Sequence, residues 1–560
     1  MRFAWKLIAL GSLLLIGGSA ASFAVMTAGG VEVRDVRIPL EEGGELAAYL
    51  YVPPGATAET PAPAVLAVHG YINSRETQSG FAIELARRGY VVLAPDQPGH
   101  GLSDGTALSA GFGGPASLAW LIEQPFVDRD NVGLEGHSMG GWAAVAAAAA
   151  HRGAYRSLVL VGSATGPGFA PAGSPEFPRN VGVVFSRWDE FSQLMWGVPA
   201  GADVGTSEKL KALFGTTETV VPGLVYGIAE LGRARWLATP VTTHPGDHLS
   251  REAIGYAVSW LNATLEGERE DLPPTRQIWF WKEGGTLVAL VGGMMLLFGM
   301  LELLLSLPSF AHVREPAVGT LERPTRGWWI TLLVTAAIPA LTYYPLTALG
   351  ARLSANAVLP QGITNQILVW ALGNGLLALP LVLRGRRRLE GHVAAKLAVG
   401  VLSVATLYAG VLLAQWIFRS DLRFWVVALK PMAWHHVPAF LAYLVPFTAF
   451  FYVTQRALHE TLSLEWASPE RQYVVGAAAT GGGFLVMLAV LYGHLFAAGR
   501  LPGFADPLFT IVGIQFVAVL PLTGLLAVFT WRRTNGAWLG AIVCGLLVTW
   551  YIVAGQATHV

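Results

Sequence analysis

The chain has 560 residues, with 37 basic and 37 acidic side chains and a formal net charge of zero. It is 53% hydrophobic and 13% charged, about half the charged share of an ordinary soluble domain, and its mean hydropathy of +0.49 points to a membrane protein. The neutral balance leaves no electrostatic footprint for a nucleic-acid partner, and the single cysteine, Cys544, excludes an intrachain disulfide and gives no compartment signal. The first element is apolar, Leu7 to Ala28, and is preceded by Arg2 and Lys6. Ser19-Ala20-Ala21 within it fits a signal-peptidase site, so residues 1–30 read as a signal anchor or a cleaved signal peptide.

A mixed-polarity region follows. Val31 to Ile38 and Leu46 to Val52 read as strands joined by Glu41-Glu42-Gly43-Gly44, a hairpin signal. Pro63 to Val68 is a buried strand ending in His69-Gly70-Tyr71, and Glu76 to Arg88 reads as a helix. Tyr90 to Pro95 is a strand running into Asp96-Gln97-Pro98-Gly99-His100-Gly101-Leu102-Ser103-Asp104-Gly105, and Pro115 to Gln124 is helical. A β-prone segment from Asn131 then enters Gly136-His137-Ser138-Met139-Gly140, followed by an alanine-rich helix to His151. A strand-to-helix turn tight enough to expose a serine hydroxyl leaves no room for neighbouring side chains, which is why glycines flank Ser138. The helix beyond aims its positive end at an oxygen that becomes charged. With 65 glycines in the chain, the motif is specific through this context alone.

Strands at Ser157 to Gly162 and Asn180 to Phe185 come next, then a long excursion from Phe191 to Ala234 that reads as a cap, and a helix from Ser250 to Leu265. Strands alternating with helices predict a mostly parallel sheet with helices on both faces. The motifs ending these strands resemble the α/β-hydrolase family, in its serine esterase, lipase and serine aminopeptidase forms. The resemblance implies that Ser138 is a nucleophile, that the backbone N–H groups of Tyr71 and Met139 form an oxyanion hole, and that neither metal nor cofactor is needed. It also implies the chain order serine, then acid, then histidine. Asp189, just beyond the strand ending at Phe185, is the favoured acid, with its neighbour Glu190 as rival. Two histidines compete for the base. If the last strand covers Arg235 to Ala238, His244 lies at the usual distance; if it runs to Thr243, Pro245-Gly246-Asp247-His248 resembles the family's ending and makes His248 the base. His244 is favoured because His248 sits only two residues before Ser250, a candidate helix cap.

The C-terminal half differs in kind. Eight apolar segments, each near the ~20 residues that a bilayer requires, fall at about 284–307, 327–350, 363–383, 397–418, 437–456, 473–497, 508–530 and 536–556. The expected organisation is therefore a hydrolase over 31–270 and a helical membrane domain over 276–560. With a cytoplasmic N-terminus, the cytoplasmic ends and loops carry fourteen basic residues against seven opposite, with Arg384 to Arg388 the sharpest cluster. This predicts a multi-pass protein of the cell membrane with its hydrolase extracytoplasmic. Pro438 and Pro446 mark 437–456 as the weakest span, Phe424 to Leu429 reads as interfacial, and Glu302 lies close enough to a span end to reach the interface. His435 and His436 form a pair too small to hold a metal.

The expected activity is cleavage of an acyl ester, thioester or amide, with a small or lipid-like substrate and membrane lipids as surroundings. The apolar content of the excursion (Phe191, Leu194, Met195, Trp196) suggests a greasy substrate. The alternatives are a serine aminopeptidase-like peptidase, and a transporter or sensor whose outer domain binds a ligand without turning it over.

Overall fold

The protein is described from a computed structural model covering residues 1–166, 170–267, 272–384, 390–465 and 467–560. Arg386 to Arg388, in the basic run expected to face the cytoplasm, lie outside the described residues.

After the opening helix α1 (Arg2–Met26), a nine-stranded sheet organises the N-terminal half. Its elements are β1 (Glu32–Pro39), β2 (Glu45–Val52), β3 (Ala62–Val68), α2 (Ser79–Ala86), β4 (Val91–Pro95), α3 (Gly114–Ile122), β5 (Val127–His137), α4 (Met139–Ala150), β6 (Ser157–Val161), β7 (Val181–Val184), α5 (Ser192–Trp196), α6 (Glu208–Phe214), β8 (Val225–Tyr226), β9 (Arg235–Ala238) and α7 (Arg251–Thr264). The strand order is β1-β2-β4-β3-β5-β6-β7-β9-β8, antiparallel at both edges and parallel from β4 to β9. Because successive side chains on a strand point to opposite faces, one short apolar run feeds two cores. Ala64, Leu66 and Val68 pack with α3 and α4, whereas Val65 and Ala67 pack with Phe81 of α2 and Ile254 and Leu261 of α7.

The helical region comprises α8 (Trp279–Ser306), α9 (Arg326–Leu341), α10 (Tyr343–Gly350), α11 (Gly362–Arg384), α12 (Val393–Phe418), the small hairpin β10 (Leu422–Phe424) and β11 (Val427–Leu429), α13 (His436–Leu462), α14 (Pro469–Ala498), α15 (Pro507–Thr534) and α16 (Trp538–Gly555). Among the described residues, α1 and seven of these helices are long and apolar enough to cross a membrane. The segment expected as one span at 327–350 is instead the pair α9 and α10, bent by 40°. Pro345 explains the break, because it has no N–H for the carbonyl of Leu341 and its ring crowds that carbonyl. The segment expected to be weakest, 437–456, is one continuous helix. Pro438 falls in its first turn, where the missing N–H has no partner to lose, and Pro446 is tolerated inside it.

α1 packs along α8 with backbone almost touching backbone. A Cβ on Gly11 would lie 2.7 Å from the N of Leu296, and one on Gly18 would lie 2.5 Å from the O of Gly285. Small residues let membrane helices approach this closely. Glu302 is not free at the interface: it pairs with Arg314 at 2.5 Å and with Arg533, joining α8 to the following loop and to α15.

The sheet region sits on one end of the helices. The hairpin expected at the interface is packed against it: Trp425 Nε1 donates to the Pro245 carbonyl at 2.6 Å. Arg423, 1% exposed, is held by Asp421 and donates to Ser74 Oγ at 3.1 Å. A buried guanidinium survives because its donors are satisfied in this way. The last residues also reach back, with the Thr558 N–H donating to the Gly99 carbonyl at 2.9 Å and the Ala107 N–H to that of Thr558 at 2.7 Å.

Candidate active site

Ser138 stands between β5 and α4 with φ 55° and ψ −123°, a strained conformation held by the close fit of its neighbours. A Cβ on Gly136 would meet the Gly140 carbonyl at 2.2 Å, and one on Gly140 would meet the Val68 carbonyl at 2.0 Å. Any side chain there would push α4 off the sheet. Ser163 Oγ donates to the Ser138 carbonyl at 2.6 Å and pins the turn from below.

The acid and histidine loops run side by side beyond the ends of β7 and β9. The Arg187 N–H donates to the Pro240 carbonyl at 2.9 Å and the Trp188 N–H to that of Thr242 at 3.1 Å. That pairing brings Asp189 Oδ2 to 2.8 Å from His244 Nδ1, and the Phe191 N–H donates to Asp189 Oδ1 at 2.7 Å. Glu190 does something different: its Oε2 accepts from the His244 backbone N–H at 2.8 Å and its Oε1 from the Tyr492 hydroxyl of α14 at 2.7 Å. Burial first, and then the neighbouring Asp189 charge, push Glu190 up to about 8.

With Nδ1 turned to Asp189, Nε2 of His244 is the atom left for chemistry, and the ring lines one cavity with Ser138. Burial pushes the His244 imidazole down to about 4, so it is neutral and able to accept a proton at neutral pH. His248 also lines the cavity but lies in a 3-10 turn, Pro245–Leu249, with its ring tilted against that of His137 at 4.1 Å between centroids. Neither of its ring nitrogens has a hydrogen-bond partner among the described residues. The strand β9 ends at Ala238, which is the shorter of the two possibilities for the last strand.

Met139 opens α4, so its N–H has no carbonyl four residues behind it in the helix. Tyr71, the other expected donor, lines the same cavity. Its loop is fixed by His69, whose Nε2 accepts from the Gln97 N–H at 3.0 Å, leaving Nδ1–H to donate to the Gly70 carbonyl at 2.7 Å. The Asp96 to Gly105 motif is a brace for this loop, with Asp96 Oδ1 accepting from the Arg75 N–H at 2.7 Å and Oδ2 from that of Leu102 at 3.0 Å. The Tyr71 hydroxyl is 2.8 Å from Nε2 of His559 at the far end of the chain.

Three contributors escaped sequence reasoning. His137 Nε2 donates to the His244 carbonyl at 3.0 Å, with Asp247 Oδ2 at 3.5 Å, and Asp247 Oδ1 accepts from Ser186 Oγ at 2.5 Å. This second histidine–aspartate pair lies directly behind the first. His137 occupies the variable position of the serine motif, and Asp247 reads as filler between Gly246 and His248. Tyr492 lies inside an apolar run that gives no signal for a link to Glu190.

The buried histidines make stability depend on pH. His69, His100, His137, His244 and His248 are each lowered chiefly by burial, His100 and His244 to about 4. Below about 6.5 the unfolded chain takes up these protons while the folded chain does not. The histidine contribution to stability is therefore complete above about 6.5 and falls as the pH drops toward 4, by on the order of 1 kcal/mol per pH unit for each ring, while the carboxyls of Asp96, Glu135, Asp189 and Glu190, all raised by burial, act in the opposite sense.

A mostly parallel sheet flanked by helices, with a serine on a strained strand-to-helix elbow and a histidine–aspartate pair beyond later strands, defines an α/β-hydrolase enzyme. Residues 59–189 match the family described as serine aminopeptidase, S33. Esterase YjfP of Escherichia coli (strain K12) is 24% identical over 247 residues, covering 39% of this chain and 94% of that one. Among solved structures, the Pyrococcus furiosus esterase Pf2001 aligns over 42% of this chain and 94% of its own at 17% identity and a TM-score of 0.31. The hypothetical protein PA2218 of Pseudomonas aeruginosa aligns over 24% of this chain, and over less than half (44%) of its own, at 28% identity and a TM-score of 0.23.

Proposed function

We propose that the protein is a membrane-embedded serine hydrolase that cleaves an ester, thioester or amide, with Ser138 as nucleophile, His244 as base and Asp189 as its orienting acid. The observation that carries this reading is the strained Ser138 in one cavity with a neutral His244 whose Nδ1 is 2.8 Å from Asp189. His244 Nε2 takes the hydroxyl proton as Ser138 Oγ bonds to the carbonyl carbon, and the resulting oxyanion accepts from the Tyr71 and Met139 N–H groups. As the intermediate collapses, the Nε2 proton passes to the leaving alcohol, thiol or amine. Water then gives a proton to Nε2 and attacks the acyl-serine, and that proton returns to Ser138 as the acid departs. Asp189 keeps the imidazole in the Nδ1–H form and stabilises it while it is charged.

The family match favours a second reading, an aminopeptidase. Such a substrate brings a free ammonium group, and no carboxylate lines the Ser138 cavity among the described residues. The wall is chiefly apolar, and Esterase YjfP is by its name an esterase. These two points favour acyl esters. Purified protein should turn over p-nitrophenyl esters and leave aminoacyl anilides intact; the opposite outcome would establish the peptidase. A transporter or sensor that only binds has no use for a serine, histidine and aspartate in line.

In this reading the hydrolase faces outward and α1 stays in place as an anchor. The close packing of Gly11 and Gly18 on α8 supports an uncleaved α1. Arg314, Arg326, Arg471, Arg532 and Arg533 lie at or beyond helix ends remote from the hydrolase, whereas Arg423 and Lys430, on its side, are buried. An impermeant thiol reagent tests the orientation, because Cys544 is itself buried. Glu59→Cys should label in intact cells and Glu322→Cys only after permeabilisation. The reverse pattern would put the hydrolase in the cytoplasm.

A further inference from the structure

The cavity at Ser138, of about 350 Å3, is not walled by the hydrolase alone. Phe191, Leu194 and Met195 close one side, and Leu508, Ile511 and Gln515 contribute from the helical region. The last three belong to α15 and are spaced by three and four residues, so they form one stripe along that helix. The stripe begins in the first turn, capped by the Asp506 side chain, and descends about 10 Å at about 1.5 Å per residue. α15 is long and apolar enough to cross a bilayer. A wall of this kind runs along the length of helix that a bilayer would surround.

That placement discriminates between substrates. A short water-soluble ester gains nothing from an apolar wall of this length, whereas a long acyl chain buries its methylenes along it. Gln515 closes the deep end. Its Oε1 accepts from the Tyr551 hydroxyl of α16 at 2.6 Å, which ties the bottom of the stripe to the next helix. Val426, from the hairpin between α12 and α13, supplies a further apolar contact at the rim.

We propose that α15 forms the acyl subsite, and that the substrate is a bilayer lipid ester whose long acyl chain lies along Leu508 and Ile511 while its carbonyl carbon meets Ser138. This rests on the serine-hydrolase reading above. The helical region is then part of the enzyme's specificity and more than an anchor. Ile511 is the specificity-determining residue, because it lies midway down the stripe.

The test uses the full-length protein in nanodiscs and p-nitrophenyl esters of two, eight and sixteen carbons. In the natural protein, kcat/KM for sixteen carbons should exceed that for two by about tenfold or more, as added methylenes are buried. Ile511→Trp, which fills the stripe, should lower that ratio at least about tenfold, and Ile511→Ala, which widens it, should not lower it. An unchanged ratio in Ile511→Trp, or equal loss on all chain lengths, would overturn the proposal. If the tryptophan variant fails to fold, the alanine variant still decides: a lowered ratio there would equally overturn it. A natural protein that prefers the two-carbon ester would also remove the acyl subsite while leaving the hydrolase reading intact. Absence of turnover on every ester, together with no labelling by a fluorophosphonate, would instead remove the hydrolase reading itself.

Discussion

Ser138→Ala is expected to abolish fluorophosphonate labelling and to lower ester turnover by on the order of 10⁶-fold, with the protein still folded in the membrane. The size of the effect follows from what is lost. Without Oγ there is no acyl-enzyme, and only substrate binding and the oxyanion donors remain to assist water. The substitution removes one oxygen atom at a position fixed by backbone packing at Gly136 and Gly140. Alanine carries the same Cβ strain at φ 55° as serine, so thermal stability should change little while activity is lost. Labelling that persists in the variant would identify another nucleophile, and unchanged turnover would remove the whole arrangement.

His244→Ala should be nearly as damaging, by on the order of 10⁴- to 10⁶-fold in kcat, while His248→Ala loses about tenfold or less. The contrast is geometric. His244 Nδ1 is 2.8 Å from Asp189, whereas neither His248 nitrogen has a partner among the described residues. The two carboxylates should separate in the same way. Asp189→Asn leaves the shape and costs on the order of 10⁴-fold by favouring the wrong imidazole tautomer. Glu190→Gln keeps an acceptor for the His244 backbone N–H and should cost far less. Comparable losses at His244 and His248 would mean that both rings act on the serine, and a larger loss at His248 would transfer the role to it.

Much of this site was legible before any coordinates. Short apolar runs ending in glycine-rich turns announce strands whose C-terminal ends carry chemistry, and the order of Ser138, Asp189 and His244 along the chain is the one that the resemblance to the α/β-hydrolase family implies. What could not be read is lateral. Whether Asp189 or Glu190 faces the histidine depends on the twist of a loop paired with its neighbour through Trp188 and Thr242. The His137 and Asp247 pair is invisible for the same reason, since 110 positions of chain separate two residues that the sheet brings together.

The helical half divides in the same way. Apolar length alone marks the spans, because a bilayer demands about 20 apolar residues wherever a helix crosses it. Length says nothing about which face of a span meets which partner. The Tyr492 hydroxyl on Glu190, His559 on Tyr71, and Ile511 beside Ser138 all arise from packing between regions hundreds of residues apart in the chain. The glycines of α1 are equally mute in sequence and become meaningful only once α8 lies against them. Local sequence thus determined the sheet, the elbow and the number of apolar segments, since backbone sterics and solvent preference act over a few residues at a time. Only the tertiary structure decided which acid holds the histidine, which helix walls the cavity and where the hydrolase sits, because those outcomes depend on side-chain contacts between elements distant in sequence.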